Sequence, residues 1–100
     1  MSVEDAFRDR ILRDVRQAKD RYNYNPTYFL RMIGDMGEVE AVKALLCKKE
    51  PSEGFTKLWE LGRLDLTAEY LVLEDEFREL FTEEERDIAR RRLTDHGFEF

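Results

Sequence analysis

Apolar residues fall at Val3, Phe7, Ile11, Val15, Ala18 and Tyr22, three or four positions apart, with polar and charged residues filling most of the gaps. That spacing predicts an amphipathic helix of about five turns with one buried face. Ser2 can cap its start, and Asp5 three residues on echoes a capping box. On the polar faces, Glu4–Arg8 and Asp9–Arg13 are spaced to pair at i,i+4. The pattern breaks at Tyr22-Asn23-Tyr24-Asn25-Pro26. A residue before proline avoids the helical region, while proline suits a first helical position, so Asn25 reads as N-cap and Pro26 as the first residue of a second helix. Thr27, Phe29, Met32 and Ile33 continue it, and Gly34 and Gly37 punctuate its end.

A third helix runs from Glu38 to about Lys49, with Val39, Val42, Leu45 and Leu46 on one face. Its Glu start and Lys end suit the macrodipole. Glu50-Pro51-Ser52-Glu53-Gly54 reads as a loop, after which Phe55, Leu58, Trp59 and Gly62 follow helical spacing. Asp65 or Thr67 can open the next helix, with Glu69 placed where negative charge favours a helix start. Tyr70-Leu71-Val72-Leu73 is too short for periodicity to separate strand from helix, and no partner strand is visible, so helix is preferred. Another helix passes through Phe77, Leu80 and Phe81. Thr82-Glu83-Glu84-Glu85 is a capping box opening a last helix, with Arg90, Arg91 and Arg92 towards its end. Gly97 suits the position after it, leaving Phe98 to pack back. The expected fold is all-α: residues 1–100 as a single compact orthogonal bundle of five or six helices with a long N-terminal helix. Phe55, Leu58, Trp59, Leu71 and Phe81 are the expected core.

Composition agrees with a folded chain, because 42% hydrophobic residues offset 40% charged ones. One cysteine, Cys47, excludes an internal disulfide framework and leaves a Cys-based zinc site without ligands. The N-terminal MSVEDAFRDR has no apolar region of the signal-peptide kind, and no apolar run is long enough to span a bilayer. A soluble cytoplasmic protein is expected.

Charge changes the picture more. Residues 1–50 hold ten Lys and Arg against nine Asp and Glu, and residues 51–100 hold seven against fourteen. The stretch 65–87 alone has ten acids and two bases. Such a surface repels phosphate and favours basic partners, although solvated helix faces account for most acids in a chain this charged.

No Walker loop and no Gly-x-Ser-x-Gly elbow is present. Cys47 lies off the apolar stripe of its helix and has only distant His96 as a base, so an inert thiol is preferred to a nucleophile. His96, in the last turn of its helix, is poor evidence by itself for metal or general-base chemistry. Asp65 and Glu69 could share a helix-start face and hold a divalent metal, but in a chain with 23 acids such spacings arise by chance, and a cap and a dipole partner are the preferred reading. Tyr22, Tyr24 and Tyr28 cluster at the proline turn beside Phe29 and Arg31, which is material for stacking on nucleic acid or for a protein hot spot. Arg90–Arg92 could touch phosphate. Arg63 has no evident structural task.

Two segments, Tyr24-Asn25-Pro26-Thr27-Tyr28-Phe29 and Gly54-Phe55 with Leu58-Trp59-Glu60 and Leu64-Asp65-Leu66-Thr67-Ala68-Glu69, resemble a small bacterial helical module of unassigned function. The resemblance covers most of residues 22–93. It implies a bacterial cytoplasmic source and one helical domain, and it assigns no catalytic residue.

The expected function is a non-catalytic protein-interaction module, adaptor or regulatory, with an acidic surface at 65–87. Tyr24, Tyr28, Arg31, Arg63, Glu74, Asp75, Glu76 and Glu79 are its candidate contact residues. The partner is another protein of basic character, with a homodimer through the first helix as a further option. No cofactor, metal or membrane is expected. The alternatives are a nucleic-acid-associated regulatory or defence protein using Tyr24, Tyr28, Arg31 and Arg90–Arg92, and a metal-dependent enzyme using Asp65 and Glu69.

Overall fold

In the computed structural model, which describes residues 2–100, the first apolar stripe forms the helix its spacing predicts. Helix α1 runs Val3–Tyr22, and the Ser2 hydroxyl accepts from the Asp5 amide at 3.1 Å. It ends at Asn23, whose left-handed φ of 54° is one that asparagine tolerates better than most side chains. Next come α2 (Thr27–Met36), α3 (Glu38–Cys47), α4 (Glu53–Glu60), a 3₁₀ turn (Leu64–Leu66), α5 (Ala68–Val72), a 3₁₀ segment (Asp75–Leu80) and α6 (Glu83–Asp95). The described residues contain no strand, so the fold is all-α with a long N-terminal helix. Its Cα radius of gyration of 12.5 Å matches the roughly 13 Å of a folded 100-residue chain.

The main core gathers Phe7 and Ile11 of α1, Val42 and Leu46 of α3, Leu71 and Val72 of α5, Phe77, Phe81 and Ala89. Phe7 packs edge-on against Phe77 and Phe81, with ring centroids 5.0 and 5.4 Å apart. Smaller clusters join α2 to α3 (Met32, Ala41, Leu45), α1 to α4 (Ala18, Leu58, Leu66) and α4 to α6 (Phe55, Leu64, Leu93). No helix of the described residues is long and apolar enough to cross a membrane.

Local signals set several boundaries. Thr82 and Glu85 form a complete capping box, while Ser52 and Thr67 cap α4 and α5. The C-terminal ends of α4 and α6 close alike. The Gly62 and Gly97 amides donate to Trp59 and Thr94, and the next amides, of Arg63 and Phe98, donate to Leu58 and Leu93. This paired closure needs a left-handed residue, and the two glycines supply it at φ 73° and 88°. Phe98 thereby packs back on the Leu93 cluster, as expected.

Four expectations need correction. Helix α2 starts one residue later than expected: Pro26 is its cap, and the Thr27 amide donates to the Asn25 carbonyl. The segment around Phe77 is 3₁₀ rather than α. Glu4–Arg8 and Asp9–Arg13 do not pair; Arg8 reaches Glu38 on α3 and Arg13 approaches Asp14. Trp59 is not a core residue, being 45% exposed. It lies one residue, and so about 100° of helix, beyond Leu58. In so short a helix Phe55 and Leu58 take the buried face.

Candidate functional site

Helix α1 carries a carboxylate where its period calls for an apolar residue. Phe7, Ile11, Asp14 and Ala18 are its buried residues, and Asp14 is 5% exposed. Asp14 Oδ2 has no hydrogen-bond partner, and the nearest basic contact of its carboxyl is Oδ1 to Arg13 Nε at 4.0 Å. Arg10, one turn back, is engaged instead by Glu74 and Glu76 at 3.2 and 3.3 Å. Burial pushes Asp14 up to about 6; Arg10 and Arg13 oppose the rise, and Asp65 and Glu74 add to it.

Asp14 lines an open-mouthed cavity of about 160 Å³ bordered by α1, the 24–29 turn, α4 and α5. Val15, Ala18, Leu58 and Leu66 supply apolar wall, and Tyr24, Ser52, Glu53, Thr67 and Glu69 bring polar groups. Tyr24 lies against the start of α4, its hydroxyl 3.4 Å from where a Cβ on Gly54 would stand. Burial raises the Tyr24 phenol, and Glu53 adds to that. Glu69 is closed off behind: it is 2% exposed and accepts from Arg92 Nη1 at 2.8 Å. The same guanidinium donates to the carbonyls of Leu45 and Lys48.

The chain matches no known family model, curated protein or solved structure. Its site must therefore be read from its own chemistry.

The residues marked in the sequence are scattered by the fold. Tyr24 and Tyr28 both line the cavity, Tyr28 at its rim with 58% exposure and its ring 5.1 Å from Lys48 Nζ. Arg31 is exposed on α2. Arg92 is buried and Arg90 is paired with Asp87 at 2.7 Å, so Arg90–Arg92 do not make one basic surface. Asp65 is gripped bidentately by Arg63 at 2.9 Å, and those hydrogen bonds hold its carboxyl below the usual range. Glu69 is bound by Arg92, so each carboxylate of the suggested metal pair answers to its own arginine.

Arg63, which had no task, ties a corner together. Its Nη1 donates to the Tyr22 hydroxyl at 2.7 Å while Nε and Nη2 hold Asp65. These bonds raise its already high pKa further. The acidic stretch is also less bare than its sequence. Glu74 and Glu76 share Arg10, Asp75 meets Arg78, and Glu85 meets Lys43 at 2.7 Å. Burial alone would raise Glu85, but Lys43 and the Thr82 amide bring it below the usual range. Glu79 and Glu84 remain exposed, without an ion pair within 4.0 Å among the described residues.

Asp14 was passed over in the sequence because Val15 also satisfied the apolar period. Its signal was still legible: an acid in register with Phe7, Ile11 and Ala18.

Proposed function

We propose that this chain is a non-catalytic protein-interaction module whose partner is basic. The observation that carries the reading is the Asp14 cavity, a mostly apolar recess lined by a carboxylate whose Oδ2 has no hydrogen-bond partner among the described residues. An unpaired buried carboxylate is costly, and a cation from outside would complete it. The exposed Glu79 and Glu84, with a net charge of −6, would steer such a partner at a distance. The paired acids of 65–87 contribute less to that field than their number suggests.

His96 and Cys47 do not line the cavity. His96 donates from Nδ1 to the Arg92 carbonyl at 2.8 Å and stacks edge-on against Phe55 and Trp59. Cys47 stands exposed on α3. The test is fluorescence polarisation with a labelled lysine-rich peptide and an acidic peptide of equal length, across a salt series. The lysine peptide should bind, with affinity falling as ionic strength rises, and the acidic one should not. Absence of binding to the basic peptide, or equal binding of both, overturns the reading.

A further inference from the structure

The cavity's shape and chemistry specify more than a basic partner. Its volume of about 160 Å³ is close to the roughly 150 Å³ of an apolar cavity that accommodates benzene, a six-carbon guest. A lysine side chain from Cβ outward is a guest of about that size: four methylenes and a nitrogen. Wall and charge are arranged for the same guest. Val15, Ala18, Leu58 and Leu66 line the recess for an aliphatic stem, and Asp14 lines it too, with Oδ2 buried and without a hydrogen-bond partner among the described residues. Glu69, the other buried carboxylate, is neutralised by Arg92 and does not compete for a cation. Arg10 is held by Glu74 and Glu76 and does not line the cavity. Tyr24, Glu53 and Ser52 add an oxygen-rich part of the lining, from the turn and the start of α4.

We propose that this cavity is a site for a terminal alkylammonium group, presented by a lysine of the partner protein, with Asp14 as its counter-ion. The ammonium pairs with the Asp14 carboxylate, and its stem replaces water along the apolar wall. A guanidinium fits less well: its planar fork needs a carboxylate open to bidentate approach, whereas here one oxygen faces Arg13 and the other is unpartnered. The site rests on the interaction-module reading for the source of the lysine, but its chemistry is testable without a partner.

The experiment is an amide NMR titration of the whole chain with n-butylamine at pH 7.5, with n-butanol as the uncharged guest of equal length. Butylammonium should shift the amides of Asp14, Val15, Ala18 and Thr67 with roughly millimolar affinity, a reasonable scale for so small a guest, and butanol should bind far more weakly. Asp14→Asn should weaken the amine about thirtyfold or more while leaving butanol unchanged. Amine binding should also fall between pH 7.5 and pH 5, as Asp14 takes its proton amid Arg10, Arg13, Asp65 and Glu74. Equal binding of amine and alcohol, or Asp14→Asn without effect on the amine, overturns the site. Spermidine binding far more tightly than a lysine peptide would assign it to a free polyamine, overturning the partner-lysine source. A lysine peptide that binds where butylamine does not leaves the module reading standing and this site refuted. The converse refutes the module and keeps the site.

Discussion

At the scale of single residues, Asp14 is the point where stability and recognition pull apart. The folded chain holds its proton to about pH 6, and the unfolded chain releases it near 3.8. Between those values the native state binds more protons than the unfolded state, so the contribution of Asp14 to stability falls as pH rises through that window. Asp14→Asn abolishes this titration. Its stability relative to wild type should therefore rise by on the order of 3 kcal/mol between pH 4 and pH 7.5, measured as paired urea unfolding curves; a difference independent of pH would contradict the burial. Arg92 behaves oppositely. Arg92→Ala strands Glu69 without a counter-ion and should cost about 3–5 kcal/mol, whereas Glu69→Met with Arg92→Met should recover much of it. A double-mutant cycle in urea reads both. Trp59 meets His96 edge-on and is half in solvent. Trp59→Ala should then cost about 1 kcal/mol, not the three or more of a buried aromatic.

At the scale of elements, what the sequence made legible is what neighbouring residues decide. Ser2, Thr67, Thr82–Glu85 and Gly97 were readable because a cap and its partner lie within a few positions of each other. Gly97→Ala, forced to keep a φ of 88°, should lower stability by about 1 kcal/mol, visible in thermal melts of α6. What escaped reading depends on distance. Arg92 reads in sequence as one of a run of arginines suited to the helix dipole, and Arg86 carries no local signal at all. In the fold they donate to the carbonyls of Val72, Leu45 and Lys48, near the ends of α5 and α3. Nothing local distinguishes such an arginine from exposed Arg91. Trp59 departs for another reason: a period in so few residues leaves the direction of the buried face open by one position, and packing against Ala18 of α1 and Leu66 chose Leu58. Of the candidate contact set only Tyr24 and Tyr28 reached the cavity, since the cavity is made where α1, the 24–29 turn, α4 and α5 converge and no single segment encodes it.

At the scale of the whole molecule, the first helix spends its apolar face inside the chain. Phe7, Ile11 and Ala18 are each no more than 3% exposed, and Leu12 is the one large hydrophobic of α1 that reaches solvent. A dimer seam on α1 would lack the apolar area that stable interfaces bury. Sedimentation at micromolar concentration should give the monomer mass, and Leu12→Lys should leave it unchanged. The link from Arg92 to Leu45 and Lys48 also bears on how the molecule comes into being. Those carbonyls precede their donor by 47 and 44 residues, and Glu69 precedes it by 23. During synthesis the ribosome delivers a third helix with an unfinished end and a carboxylate awaiting a cation. The early chain can collapse, but it cannot close. Protease resistance of arrested nascent chains should therefore appear in one step, when the last helix emerges, which makes α6 the latch of a molecule built from its front.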